Sequence, residues 1–359
     1  MSTDFVPNGS RPAGVFPAVP RVIYKTKRKN LSHEGRIGRI DKVETLNPFR
    51  DFSHAFNAHR PRLDPALAGF LHNHGFLPDK GALYGLAPPA PQDPEAELED
   101  PAETDTDTPE PEPLDPWLSD FQAAILPLAN GRYAPALSNR LFFWRLYANT
   151  LPLVPLLGSV EQGRLIRRDR PAQGTILARP MFTSQKDAPE WEPAPQDGGS
   201  DRILLDLPPQ GAVSRVTRML VMYDPKTRNP VIVSAVLLEG ALDTLDRAGT
   251  TLASRRIDTE TGIAGPAMQF TRGLPVASEM VDPDTVLLPN WWLMVLNVTS
   301  GLVRLPVGVV LQIDLLRTAD ETGTVIIDAT DRIDAAGHQI HGPVMGGDVA
   351  VRFIKEFGV

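Results

Sequence analysis

Apolar positions follow three regimes along the chain. They are scattered as far as residue 116, dense in two stretches at 117–128 and 137–148, and gathered after Pro155 into short runs separated by turn residues. Short apolar runs at that spacing are the pattern of an all-β sandwich or barrel. Candidate strands are 174–178, 203–207, 213–223, 231–238, 291–298, 307–316, 324–328 and 349–353.

Two hairpins stand out among them. The run 219–223 turns through Asp224-Pro225-Lys226-Thr227-Arg228-Asn229 into 230–236, where Asp-Pro opens a turn and Asn tolerates positive φ. The run 309–316 returns through 319–323 into 324–328. Connections this short force antiparallel pairing, because parallel strands need a long crossover.

The dense stretches read as two helices, since Asn130-Gly131 and Pro135 interrupt the region between them. In the second, Leu141 to Tyr147 is apolar on nearly every face, which predicts deep burial or a subunit contact. Trp291-Trp292-Leu293-Met294-Val295-Leu296 predicts a central buried strand or an interface. Upstream, Asp64-Pro65 sets an N-cap and an N1 proline for a short helix over 64–71. A helix that short docks on the body or on a neighbouring subunit, because it cannot stand alone.

Charge divides the rest. Residues 1–20 have the Pro/Gly/Ser composition of a tail, 21–42 are strongly basic, and 88–116 carry eleven acidic residues with no lysine or arginine. Such a segment is an extended, self-repelling linker. The expected organisation is a weakly ordered, partly basic arm over 1–87, an acidic linker over 88–116, and a folded body over 117–359. That body is helical over 117–150 and β-rich over 170–359. The fold class expected is mainly β with a few helices: an antiparallel β-sandwich or jelly-roll-like body with an extended N-terminal arm.

The net charge of -8 disfavours a wholly nucleic-acid-binding surface, and the absence of cysteine removes disulfides, thiolate nucleophiles and Cys-ligated metals. The start of the chain lacks a signal-peptide pattern, and no run reaches 18 uncharged apolar residues. A soluble protein with no membrane partner is expected.

Catalytic signatures are missing. There is no Gly-x-Ser-x-Gly elbow, no phosphate-binding Gly-x-x-x-x-Gly-Lys loop and no dinucleotide Gly-x-Gly-x-x-Gly turn. His33-Glu34 lacks the second histidine of a metalloprotease string, and His72-Asn73-His74 would converge on a metal only from a strand. Carboxylates such as Asp258, Glu260, Asp282, Asp284, Asp328 and Asp331 sit in turn contexts and read as turn makers. No catalytic residue, metal ligand or cofactor is assigned.

Two basic clusters remain as candidate phosphate contacts: Lys25, Lys27, Arg28, Lys29, Arg36 and Arg39 in the arm, and Arg164, Arg167 and Arg168 before the first candidate strands. An arm joined to a β-body suggests a self-assembling, homo-oligomeric structural protein of coat or capsid type, located in a virion. The alternatives are a nucleic-acid-binding subunit of a ribonucleoprotein using 21–42 and 164–170, and an enzyme whose site is not readable in sequence.

Overall fold

The computed structural model describes residues 46–59, 63–84, 86, 117–162, 164–168, 175–182, 201–208, 214–242, 245, 249–272, 277–304, 310–318 and 323–357. The basic cluster of the arm and the acidic segment 88–116 lie outside them.

Helices come first. α1 (Leu46–His59), α2 (Pro65–Asn73), α3 (Asp79–Tyr84) and α4 (Asp120–Ile125) lead through a 3-10 turn (Leu126–Tyr133) into α5 (Ala134–Ser138) and α6 (Arg140–Tyr147). α2 begins as the sequence predicts, with Asp64 Oδ1 accepting from the backbone N–H of Ala66 at 2.9 Å and of Leu67 at 3.2 Å. α4 opens on a full capping box, Ser119 and Gln122 each accepting from the other's backbone N–H. Phe52, Phe56, Leu71 and Tyr84 enter the same core as the sheet residues below. Lys80 pairs with Asp79 within α3 and reaches Asp120 at the start of α4, tying the two helices together.

A small sheet follows, of β1 (Leu156–Glu161), β2 (Arg164–Arg168), β3 (Thr175–Pro180) and β4 (Arg202–Leu207), ordered β2-β1-β4-β3. The large sheet contains β5 (Ser214–Tyr223), β6 (Pro230–Gly240), β7 (Thr251–Ile257), β8 (Ile263–Thr271), β9 (Glu279–Asp282), β10 (Val286–Leu287), β11 (Val310–Arg317) and β12 (Thr324–Thr330). Its order is β10-β8-β7-β6-β5-β11-β12, with β9 also on β8. Both predicted hairpins are present, as β5–β6 and β11–β12, and every pairing between these strands is antiparallel.

Mainly β, antiparallel and helix-bearing is therefore the right class, but the jelly-roll form needs correction. β5 to β8 are neighbours in chain order, a meander, where a jelly roll would interleave its strands. Two segments expected as strands are helices that pack on this sheet: 291–298 lies in α7 (Trp291–Arg304) and 349–353 in α9 (Asp348–Phe357). Periodicity is the reason. In α7 the buried positions are Trp291, Met294, Val298, Gly301 and Leu302, and in α9 they are Ala350, Phe353 and Phe357, both at helical spacing. A short helix α8 (Ala335–Gln339) contacts β6. Among the described residues no helix is long and apolar enough to cross a membrane.

Candidate functional site

Three central strands each place a charged residue in the interior. Asp314 on β11 is the register partner both of Arg218 on β5 and of Asp328 on β12, so the three side chains share one face of the sheet. They are 1%, 0% and 2% exposed, respectively. Charges this deep carry a desolvation cost of several kcal/mol each and are held only by good geometry.

Arg218 supplies that geometry. Its Nε donates to Asp314 Oδ1 at 2.9 Å and its Nη2 to Oδ2 at 2.7 Å, a bidentate fork. Its Nη1 donates to Asp334 Oδ2, which Arg272 reaches from the end of β8 with Nη2 at 2.7 Å. Arg272 Nη1 donates to Asp334 Oδ1 at 2.8 Å. Asp334 is also the N-cap of α8, accepting from the Gly337 N–H at 3.0 Å. Burial alone would raise its pKa, but the two guanidiniums and these hydrogen bonds outweigh burial and hold the carboxyl well below its ordinary 3.8.

Asp328 gathers three separate parts of the chain. Arg140, at the start of α6, donates through Nε to Oδ1 at 2.7 Å and through Nη2 to Oδ2 at 3.2 Å. Arg179, on β3 of the small sheet, lies with Nη1 3.0 Å from Oδ2. Arg140 also donates to the Pro180 carbonyl at 3.0 Å from its side chain and to the Met181 carbonyl at 2.8 Å from its backbone. The helical layer, the small sheet and the large sheet thus meet on one carboxylate.

Two histidines flank the tract. His338 of α8 faces Ser234 Oγ through Nδ1 at 3.0 Å, and His341 faces Ser254 Oγ through Nε2 at 3.2 Å. Burial pushes His338 down to about 3, Arg218, Arg272 and Arg256 adding to the effect and Asp334 opposing it. Burial and Arg256 bring His341 to about 4. The Ser234–His338 pair is not a hydrolytic triad, because His338 Nε2 has no hydrogen-bond partner among the described residues where an orienting carboxylate would sit. His72 and His74 are on a helix and its C-cap; His72 packs among Phe49, Phe52 and Phe56, and His74 bonds the Phe70 carbonyl at 2.7 Å. No group of three metal-ligating side chains occurs among the described residues.

Of the residues singled out in sequence, Lys25, Lys27, Arg28, Lys29, Arg36 and Arg39 lie outside the described residues. Arg164, Arg167 and Arg168 lie on β2, the edge strand of the small sheet, and Arg164 is exposed. Arg164 makes none of the tract's hydrogen bonds or ion pairs. Asp258 and Asp282 do make turns, accepting from backbone N–H groups two residues on. Asp328 does not: it is an interior strand residue, and the turn reading fails there. A readable signal existed, a lone charge inside an apolar strand run, as in Val216-Thr217-Arg218-Met219-Leu220 and Ile313-Asp314-Leu315. A surface groove of about 460 Å³, lined by Asn229, Pro230, Thr299, Ser300, Val303 and Arg304, does not border the tract.

No family model and no curated protein matches the chain by sequence. Among solved structures it is similar to N5-carboxyaminoimidazole ribonucleotide synthetase in its ADP complex, at 12% identity and a TM-score of 0.35, over 57% of this chain and 47% of that one. D-alanyl-alanine synthetase A from Vibrio cholerae gives 9% and 0.38, over 67% and 72%. A protein from Archaeoglobus fulgidus assigned to the ATP-grasp superfamily gives 7% and 0.34, over 62% of each chain. The chain spans about half the length of the first of these, and overlaps this partial assign neither a family nor an activity.

The coat-subunit expectation, with its virion location, is corrected at this point. It rested on an arm joined to a sandwich body. The body is instead a meander packed with helices and carrying an ionised interior, with no sandwich among the described residues for such an arm to join.

Proposed function

We propose that the chain is an enzyme whose centre is the ionised tract on the large sheet, and that it takes an anionic, phosphate-bearing ligand there. The observation that carries the reading is the convergence of Arg140 and Arg179 on Asp328. A buried ion pair adds little stability over apolar packing of the same volume, so a tract of them at the junction of three layers favours a functional over a purely cohesive role.

The chemistry of the side chains sets the ligand class. Guanidinium forks match phosphate and carboxylate oxygens in the plane, and a phosphate can replace Asp328 as the partner of Arg140 and Arg179. Asp314 and Asp328, adjacent on β11 and β12, then become the acceptors of the site. His338 and His341 stay neutral at physiological pH and, held that far below it, serve the site as hydrogen-bonding groups and not as general bases. α8 and the small sheet cover the tract, so ligand entry requires one of them to shift.

ADP, present in the synthetase structure named above, is the first probe, with ATP and inorganic phosphate beside it. A ligand bound at one hundred times its Kd raises unfolding stability by about 2.7 kcal/mol, readily seen as a rise in melting temperature. The reading expects that rise with a nucleotide in the wild type and its loss in Arg179→Met. A melting temperature unmoved by every phosphate compound would count against it.

A further inference from the structure

α7 exposes an apolar stripe that no other described part of the fold covers. Trp292, Leu293, Leu296 and Val303 are 64%, 55%, 58% and 48% exposed, and they recur at helical spacing along the face opposite buried Trp291, Met294, Val298 and Leu302. Ile263 and Leu287, register partners at the sheet edge from which α7 departs, are exposed as well. Of the twelve exposed large hydrophobic residues among those described, nine fall between 263 and 303. Apolar surface concentrated in this way marks a contact, where scattered single residues would need no explanation.

The ends of α7 carry opposite charge. At its start, Trp291 packs on Gly262 and donates to the Thr259 carbonyl, which sets the exposed Asp258 and Glu260 of the β7–β8 turn beside the helix. Towards its end, the Leu302 carbonyl accepts from Tyr223 and Ser300 lines a groove with Asn229 and Pro230, which sets the exposed Lys226 and Arg228 of the β5–β6 turn beside Arg304. Asp224, the acidic residue of that turn, is bound by Arg352. Both turns lie at the same end of the antiparallel sheet, so the helix runs across the strand ends from an acidic corner to a basic one.

We infer that this face is the contact of a two-fold symmetric homodimer, in which α7 packs antiparallel on α7 of a second copy. A two-fold contact requires a surface complementary to itself. An antiparallel pairing provides it: the apolar stripes meet, and Lys226, Arg228 and Arg304 of each copy face Asp258 and Glu260 of the other. The helix has 14 residues and is about 20 Å long, and a stable contact needs roughly 800 Å² a side, so Ile263 and Leu287 at the edge belong to it too. A membrane surface fits less well, because an in-plane helix wants flanking cations and α7 begins at an acidic turn.

Sedimentation velocity of the full chain over the micromolar range tests this. The wild type forms a discrete dimer. Leu296→Glu is monomeric throughout and keeps the wild-type far-ultraviolet circular dichroism, because Leu296 is exposed in the single chain. Arg304→Glu weakens the dimer by about tenfold or more, as close like charges do, and adding Glu260→Lys restores it. A wild type that stays monomeric, a Leu296→Glu variant that still dimerises, or binding to anionic lipid vesicles in place of dimerisation would each overturn the assignment. The inference does not depend on the proposed enzyme site, and a failure to bind nucleotide leaves it untouched.

Discussion

Arg218 and Asp314 sit opposite each other on β5 and β11 and are joined by two hydrogen bonds of 2.9 and 2.7 Å, with neither side chain more than 1% exposed. Removing one partner of such a pair costs about 3–5 kcal/mol, because the other is left buried, whereas replacing both by apolar groups is often nearly neutral. Asp314→Leu is therefore expected to lose stability in that range, and Arg218→Met with Asp314→Leu to recover most of it. Urea unfolding of the two variants decides, and equal losses in both would show that the tract does not act as paired charges.

The histidines predict an acid-sensitive fold. His338 and His341 are held at about 3 and about 4 in the folded chain, against 6.5 when unfolded. Below pH 6.5 the unfolded chain therefore binds protons that the folded chain excludes, and stability falls as pH drops, by up to about 1.4 kcal/mol per pH unit for each histidine. Asp334, held below 3.8, adds stability above that pH that is lost on further acidification. The urea midpoint should be lower at pH 5 than at pH 7, and His338→Gln should flatten the slope. A midpoint unchanged over this interval would contradict the burial of both rings.

Two glycines with similar backbone angles should respond differently to alanine. Gly249 and Gly262 have φ of 79° and 76°, a conformation that costs a side chain about 1–2 kcal/mol. At Gly249 nothing lies within 4 Å of an added Cβ, so Gly249→Ala should cost only that strain. At Gly262 the Cβ would stand 2.4 Å from Trp291 Cγ, so Gly262→Ala must also displace the start of α7 and should cost clearly more. Comparison of the two melting temperatures checks the packing of α7 on the β7–β8 turn.

How far the fold was readable depended on how strongly each segment marked itself. β5, β6, β11 and β12 are mainly apolar runs, broken only by isolated polar or charged residues such as Arg218 and Asp314 and closed by Asp-Pro or Thr-Gly turns, and the pattern places them within a few residues of their ends. It misses β7 and β8: Arg255 and Arg256 interrupt one, Gly265 and Pro266 the other, and both borrow their order from neighbours in the sheet. α7 misled because Trp291 to Leu296 is apolar at every position, and a run that short has no visible period; the buried and exposed faces separate only when Val298, Leu302 and Val303 are included. The ionised tract was hidden for a different reason. Its members come from residues 140, 179, 218, 272, 314, 328 and 334, and only the strand register brings them together.

The proposal for the tract meets its most direct test in calorimetric titration of the full chain with ADP, with and without magnesium, on the wild type and on Arg179→Met. Saturable binding by the wild type that Arg179→Met lacks, while its far-ultraviolet circular dichroism stays unchanged, is the expected result. Binding of equal strength in both proteins would place the ligand elsewhere, and no binding in either would leave Asp328 and its two arginines a structural tie between layers.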